Sequence, residues 1–500
     1  MKKLFLSLLF LPALCAQAWE YEFPTLEDAT AYVDKYAPVS APSAVSPDGT
    51  IYQTGLYDQM VMIGDDLLEN IATSAYITAI DTLTRAPKWS VGIQGAAHIT
   101  QIITDATGEN IYVAATFADD ITVSGTDGTM LSFTGTAESH NQVNAIVAKY
   151  SKTGALQMAF PIIPQKHPKY GDYESDLAIT PTALALYAGK LYISFTYLGG
   201  YKAGNLLEYG TGKVSFGYWD SLCGAILSWD GAADLQTVLD VRSSDAESTT
   251  GLCPQSLCLT ASDDALYAGI FAGGTNTLKV NGETTTYSFS YEEEGDVEYG
   301  ALILKLTADG YSVKQFDCAA SGRYYKKNII KSMQVQGGKL YLAGTISTPL
   351  PFQDTLVPDL WSDQFAACLD AETYATRWAT ITGALRDDMP SMNAKYRETV
   401  AATPAGNDYI VVGATNFAVV GDGQRSDYTS DYCLGLSAAN TTLALTTKTD
   451  TGSKLTVSSF TPATPDPAEP AEENPYDIDG DGKLTVSDIT ELINIYLNNE

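Results

Sequence analysis

The chain has 500 residues, with 60 acidic against 29 basic side chains and a formal net charge of −31. A field of that sign repels phosphate backbones and anionic membrane surfaces, which excludes nucleic acid as a partner. Hydrophobic residues at 45% and a mean hydropathy of −0.05 exclude a disordered chain and leave enough apolar surface for a large core.

The N-terminus opens with Met1-Lys2-Lys3, continues as an apolar run from Leu4 to Leu14 and ends in Ala16-Gln17-Ala18. That charged, apolar, small-x-small order predicts a signal peptide over residues 1–18, cleaved after Ala18. The run is well short of the ~20 apolar residues that a spanning helix needs, so no transmembrane segment is expected. Cys15 follows Leu14, where a lipobox resembles one ending in Gly, Ala or Ser, so Cys15 is expected to leave with the leader. Loss of Lys2 and Lys3 takes 29 basic residues to 27 against 60 acids, a net charge of −33. The mature protein is expected outside the cell, on its surface or in a periplasm.

Residues 19–45 read as an N-terminal segment with one short helix. Thr25-Leu26-Glu27-Asp28 has the form of a helix start, and Leu26, Ala29, Tyr32, Val33 and Tyr36 follow at helical spacing.

From Ser46 the pattern changes to alternation, and it repeats. The clearest unit runs through Thr107–Phe117, a second strand around Ile121 to Val123, a third at Asn144–Tyr150, a turn at Ser151–Gly154 and a last strand from Ala155 to Pro161. The opening strand recurs at Gly49–Gly55, Gly189–Ser194, Ala265–Phe271, Gly338–Gly344 and Asn407–Gly413. The third recurs at Ala75–Ile80, Gly224–Ser228, Ala301–Leu306, Phe365–Leu369 and Tyr432–Leu436. Four antiparallel strands per copy fit a propeller blade better than a solenoid coil. Six copies predict an all-β, six-bladed β-propeller over residues 46–460. A seventh blade is the alternative, if the N-terminal segment closes the ring. Long inserts, such as Tyr197 to Asp220 and Ala272 to Val297, explain a period above the usual ~40–50 residues.

The order of these elements, a Gly or Asn turn, an Ile/Leu-Tyr strand, then an apolar strand and an Asp-Gly or Thr-Gly turn, resembles the β-propeller repeats of secreted bacterial proteins. The resemblance implies the fold and no activity.

Six cysteines remain after the leader is lost: Cys223, Cys253, Cys258, Cys318, Cys368 and Cys433. An even count in an exported protein permits disulfides. Cys223, Cys368 and Cys433 read as small core residues in strands, and Cys253 with Cys258, or either with Cys318, as the bridge.

Five prolines between Thr461 and Pro475, with no large apolar residue among them, mark a semi-rigid spacer over 461–475. Residues 476–500 follow as a calcium module. Asp477, Asp479 and Asp481 occupy positions 1, 3 and 5 of a calcium loop, and Gly482 supplies the sharp turn. Lys483 offers its backbone carbonyl at position 7, Thr485 stands at 9 and Asp488 at 12. Calcium is a hard cation that takes six to eight oxygens, and this spacing supplies them. Ile489, Leu492, Ile493, Tyr496 and Leu497 then form an apolar helical stripe. Asp at position 12, Leu484 at 8 and the helix that follows resemble one type I dockerin repeat. That resemblance implies Asp477, Asp479, Asp481 and Asp488 as ligands, a partner-reading pair near Val486 and Ser487, and a cohesin-like or cell-surface protein as partner. A dockerin carries two such repeats, and this chain has one.

The body shows no comparable motif. His98, His140 and His167 stand apart and read as surface or turn residues. Gly210–Lys213 looks like a phosphate-loop fragment, but Val214 stands where Ser or Thr should bind magnesium. Ser46–Thr50 reads as a blade turn. The acid pairs Asp119-Asp120, Asp263-Asp264 and Asp387-Asp388 read as solvated turns. Tyr197, Tyr201, Tyr209, Tyr218 and Trp219 in an insert suggest a surface for glycans or peptides. Tyr52, Tyr112, Tyr192, Tyr267 and Tyr341 recur at one strand position and should pack between blades. The leading expectation is therefore an exported, non-catalytic propeller that binds a protein or glycan and carries a calcium tail for docking. Its rival is a secreted polysaccharide-degrading enzyme with the same tail.

Overall fold

A computed structural model describes residues 18–24, 40–69, 73–135, 141–166, 168, 176–209, 223–231, 235–243, 256–273, 275–289, 299–317, 329–346, 352, 363–384, 401–405, 408–412, 416–421, 424–429, 433–439, 442–449 and 452–459. The chain divides into two compact units, Met1–Phe460 and Thr461–Glu500. The leader up to residue 17, the expected helix after Pro24, the spacer and the calcium module all lie outside the described residues.

Within the described residues every regular element is a strand. β1 is Trp19–Pro24. The first passage of the repeat holds β2 (Ser43–Val45), β3 (Ile51–Tyr57), β4 (Val61–Ile63), β5 (Asp66–Leu68), β6 (Ser74–Asp81) and β7 (Ala86–Gln94). The second holds β8 (Ala97–Thr104), β9 (Asn110–Phe117), β10 (Asp120–Ser124), β11 (Met130–Thr134), β12 (Asn141–Ser151) and β13 (Leu156–Gln165). The third holds β14 (Asp176–Tyr187), β15 (Lys190–Tyr197), β16 (Gly200–Ala203), β17 (Leu206–Tyr209), β18 (Cys223–Trp229) and β19 (Gln236–Ser243). The fourth holds β20 (Ser256–Ala261), β21 (Leu266–Gly273), β22 (Thr275–Val280), β23 (Glu283–Ser288), β24 (Tyr299–Thr307) and β25 (Gly310–Asp317). Shorter passages follow: β26 (Ile329–Gln336), β27 (Lys339–Ile346), β28 (Asp363–Asp370) and β29 (Thr376–Ala384), then β30 (Ala401–Ala405), β31 (Asp408–Val412), β32 (Asn416–Gly421) and β33 (Gln424–Thr429). The last strands are β34 (Cys433–Ala439), β35 (Thr442–Lys448) and β36 (Gly452–Ser459).

Each long passage contributes four antiparallel strands to one sheet and a hairpin to another. In the second passage β8, β9, β12 and β13 pair in that order, whereas β10 and β11 pair with each other and β10 pairs with β7 of the preceding passage. In the same way β16–β17 extends β13, and β22–β23 extends β19. The sequence-based unit that joined Ile121–Val123 to Thr107–Phe117 is therefore corrected. The true first strand is β8, and the strand around Ile121 is handed to the neighbouring sheet. Alternation reports that a segment is a strand and carries no information on its partner, which is how the error arises. A second correction concerns Asn407–Gly413 and Tyr432–Leu436, read from sequence as one copy. β31 pairs with β32, and β34 begins a different sheet with β35.

The arrangement is propeller-like. The first strands of successive sheets contact one another in turn: β2 with β8, β8 with β14, β14 with β20, β20 with β26, β26 with β30, β30 with β34, and β34 again with β2. Middle strands are buried on both faces, as in β3 and β9, while the hairpin strands β11 and β23 show largely exposed, alternating patterns. A sheet covered on both sides must be apolar on both, which is why these strands read as near-continuous Ile, Val, Ala and Tyr. The core accordingly lies between sheets. One cluster joins Tyr112 and Ala114 of β9 to Ile193 and Phe195 of β15, and another joins Cys258 and Ile303 to Leu342 and Phe365.

The recurring tyrosines Tyr52, Tyr112, Tyr192, Tyr267 and Tyr341 are all buried, as expected of residues between sheets. Lys149 and Lys305, opposite Tyr112 and Tyr267 on the neighbouring strand, place their ammonium groups 5.7 and 5.8 Å from the ring centroids. Such contacts add a modest electrostatic attraction to the packing.

The last sheet runs β1-β36-β35-β34, so both ends of the repeat region share it. β1 pairs antiparallel with β36 from Trp19↔Val457 to Pro24↔Gly452. Its alternation, Trp-Glu-Tyr-Glu-Phe, buries Trp19 and Phe23 in a cluster with Leu455, Val457, Ile51 and Tyr76 and leaves Glu20 and Glu22 exposed. Each buried aromatic contributes roughly 1.5–3 kcal/mol. Against β34 and β35, the first sheet makes a polar seam: Ser43 and Ser437 hydroxyls meet at 2.9 Å, and Thr446 donates to Gln53 Oε1 at 2.8 Å.

Candidate functional site

The densest buried constellation of titratable groups among the described residues lies where the β16–β17 hairpin meets β19. Asp240 stands between Leu239 and Val241 of β19, with its side chain only 2% exposed. Its Oδ1 accepts a hydrogen bond from the Tyr197 hydroxyl at 3.0 Å, and its Oδ2 accepts from Arg242. Arg242, two residues on and hence on the same face of the strand, also reaches Glu208 of β17 at 3.4 Å. Tyr201 of β16 shares a hydrogen bond with Thr237 of β19 at 3.2 Å and meets the Tyr197 ring edge-on at 5.0 Å.

Burial pushes the Asp240 carboxyl above its ordinary range; the Arg242 guanidinium and the Tyr197 hydroxyl pull it down without cancelling that effect. Burial likewise raises the Tyr197 hydroxyl well above its ordinary value, and the neighbouring Cys223 and Asp240 push in the same direction. Strongly shifted groups in one place are the usual mark of a reactive site. Here both carboxylate oxygens of Asp240 are engaged by the protein itself, so the group works as a fastening. A hairpin that leaves the third passage to extend the second sheet is tied back to the third by charge and tyrosine.

Several expected features fall elsewhere than sequence placed them. Tyr197 and Tyr201 are fully buried in this cluster, so they form no exposed aromatic surface; Tyr209 is half-buried, and Tyr218 and Trp219 lie outside the described residues. His98 is not a surface residue. It is buried on β8, and its Nε2 lies 2.9 Å from the Ser40 carbonyl oxygen. Desolvation lowers its pKa below the ordinary histidine value. His140 and His167 lie outside the described residues.

Cys258 carries a free, buried thiol that donates to the Ile330 carbonyl across a sheet boundary at 2.9 Å, which corrects its expected place in a disulfide. Burial raises that thiol to about 12, so it is chemically quiet. Cys223 and Cys368 are buried strand residues as expected, while Cys253 and Cys318 lie outside the described residues. Asp119 and Asp263-Asp264 are exposed at turns, Asp120 is the exposed first residue of β10, and Ser46–Thr50 is a turn in which Asp48 Oδ1 accepts from the Thr50 amide at 2.9 Å. Asp387-Asp388 and Gly210–Lys213 are outside the described residues, as are all six calcium positions, Asp477, Asp479, Asp481, Lys483, Thr485 and Asp488. Among the described residues no group of three or more His, Cys, Asp or Glu side chains is placed to hold a metal ion.

The Asp240 cluster went unnoticed in the sequence. The signal was there: Asp-Val-Arg within Val238–Arg242 puts opposite charges two apart on one face of a strand.

No family model matches the chain, and no curated protein matches it by sequence. Solved structures align with it over most of its length. A polysaccharide lyase aligns at 10% identity and a TM-score of 0.40, covering 89% of this chain and 99% of the lyase. The periplasmic gluconolactonase PpgL of Pseudomonas aeruginosa aligns at 11% and 0.37, covering 83% and 97%. Hydrazine synthase of Kuenenia stuttgartiensis aligns at 10% and 0.37, covering 85% and 97%. At such scores the likenesses bear on neither activity nor ligand.

Proposed function

We propose that this chain is an exported, seven-bladed β-propeller that binds a protein or glycan without turning it over. It is attached to its surroundings by a single dockerin-like calcium module. The observation that supports this reading is the way the first unit ends. β1 completes the sheet of β34, β35 and β36, whose last residue is Ser459, and Thr461–Glu500 clusters as a separate unit. Among the described residues the sheet that joins the two ends of the repeat region is complete by Ser459. The blade number rests on the cyclic succession of seven first strands, with the N-terminal strand supplying the fourth strand of the last blade.

In the tail, Asp477, Asp479, Asp481 and Asp488 would hold calcium through carboxylate oxygens, Lys483 through its backbone carbonyl, and Thr485 directly or through water. Calcium would order the loop and the helix after it, whose apolar stripe would face a cohesin-like or cell-surface partner.

Calorimetric titration of the full chain with calcium tests the module. One site per chain is expected, lost in Asp477→Ala/Asp481→Ala; no heat in the parent chain would sink the calcium reading. A glycan array and a polysaccharide hydrolysis screen on the full chain test the propeller. Retention without turnover is the expected result, and turnover would move the chain to the polysaccharide-degrading class.

A further inference from the structure

We propose that the outward face of the β4–β5 hairpin is a docking surface for a cationic, amphipathic segment of another protein. This inference is independent of the calcium tail. Val61↔Leu68 and Met62↔Leu67 are cross-strand pairs of this hairpin. Val61, Ile63 and Leu68 pack into the core cluster that contains Trp19 and Phe23. Met62 and Leu67 point the other way, 54% and 53% exposed, and Met60 just before β4 is 64% exposed.

Six large apolar side chains are exposed among the described residues, and three of them fall within the eight positions from Met60 to Leu67. Single exposed apolar residues need no explanation, but a contiguous group does.

The other hairpins show what the ordinary solution looks like. The outward face of β10–β11 pairs Thr122 with Ser132, their hydroxyls 3.1 Å apart, and that of β22–β23 pairs Thr277 with Thr286 and Lys279 with Thr284. Those hairpins also give their backbone edges to β7 and β19, whereas β4–β5 forms a two-stranded sheet by itself. Of the hairpins it alone combines an apolar outward face with no ladder to a neighbouring sheet among the described residues. Methionine on such a face suits a partner surface, since its thioether adapts to varied shapes.

Charge selects the occupant. Asp58, Asp65 and Glu69 are exposed around the face, while Asp66 is committed to the Ser90 amide at 2.6 Å. No Lys, Arg or His occurs anywhere between Tyr36 and Arg85. An acidic rim repels a second copy of this chain, which carries the same rim, and an anionic lipid surface. It attracts a segment whose apolar residues alternate with or are flanked by Lys and Arg, and complementarity of this kind sets both partner choice and encounter rate.

The test uses the full chain and two labelled six-residue probes, alternating Leu with Lys and Leu with Glu, read by fluorescence anisotropy at ~0.15 M salt. The Lys probe is expected to bind and the Glu probe not to. Met62→Ser/Leu67→Ser should weaken the Lys probe at least about tenfold. Asp58→Asn/Asp65→Asn/Glu69→Gln, which leaves the apolar face intact, should weaken it and flatten its salt dependence. Thr122→Ala/Ser132→Ala on the polar hairpin should leave it unchanged.

Equal binding by parent and both hairpin variants would reduce the attraction to general charge and overturn the proposal. So would a dimer that Met62→Ser/Leu67→Ser dissociates in sedimentation, or retention on phosphatidylserine vesicles that the same change abolishes. Stronger probe binding by a chain stopped after Phe460 would assign the face to the protein's own tail and overturn it equally.

Discussion

The boundaries between the early sheets and those between the later sheets are built differently. Between the first four, hairpins cross the boundary and pair by backbone: β10 with β7, β16 with β13 and β22 with β19. Between the later sheets, among the described residues, the ties are side chains. Tyr267 donates to the Ala371 carbonyl at 3.4 Å, Cys258 to that of Ile330, and Ser332 to that of Ala402 at 3.3 Å, with Lys305 paired to Glu372. A shared ladder covers the outer edge of a sheet and fixes the register of two passages at once; single hydrogen bonds fasten a boundary and leave the edge open. The first half is thus welded at its perimeter, and the second is held mainly by its interior faces.

The sharpest way to break this contrast is at the sheet that both ends of the repeat region share. Deleting Trp19–Pro24 removes the strand that joins β36 to the N-terminus, and it should abolish a single cooperative unfolding transition. Calorimetry that still showed one sharp transition would mean that β1 is dispensable.

The next largest effect is expected at a weld. Arg242→Ala leaves Asp240 buried without its counter-charge, and a broken buried pair costs about 3–5 kcal/mol. A carboxyl whose pKa in the fold stands above the unfolded value stabilises most below the unfolded pKa, and that contribution is lost as pH rises through the folded one. Asp240 is already raised, and loss of the guanidinium raises it further. The deficit of the variant relative to the parent should therefore be greatest near neutral pH and shrink on acidification, as protonated Asp240 no longer needs a partner. Denaturant unfolding at two pH values reads this directly, and a pH-independent deficit would show that lost packing is responsible.

Side-chain ties should cost less. Tyr267 donates to the Ala371 carbonyl across a later boundary at 3.4 Å, so Tyr267→Phe should lose about 1 kcal/mol. Smallest of all is a change on the outward face of a welded hairpin: Thr122→Val/Ser132→Val breaks a solvent-facing hydroxyl pair and should stay within about 0.5 kcal/mol. A large loss there would mean that the weld depends on its polar face as well as on its ladder.

Much of the strand content was legible in the sequence because the second strand of each passage repeats an Ile/Leu-Tyr pattern after a Gly or Asn turn. Tyr52, Tyr112, Tyr192, Tyr267 and Tyr341 are buried where that pattern places them. Pairing was not legible. Ile121 and Val123 alternate as any half-buried strand does, and nothing local records that β10 binds β7 and not β9. β1 carried a readable signal, since Trp19, Tyr21 and Phe23 alternate with Glu20 and Glu22, but its partner lies at the far end of the repeat. The Asp240 fastening was missed for a related reason: Tyr201 and Glu208 reach it only because a hairpin crosses a sheet boundary. The expected calcium positions, by contrast, rest on spacing within one short loop, and they lie outside the described residues.

The pairing of Trp19 with Val457 also sets a clock. The strand made first has no seat until the strand made last has emerged, so no growing chain can finish its ring early. Contacts between such distant positions are slow to form and leave β36 with a bare apolar edge in the meantime. During that interval any strand of fitting pattern, from this chain or another, competes for the vacancy. The speed with which Trp19–Pro24 find it decides how much of the protein folds singly and how much is lost to entanglement.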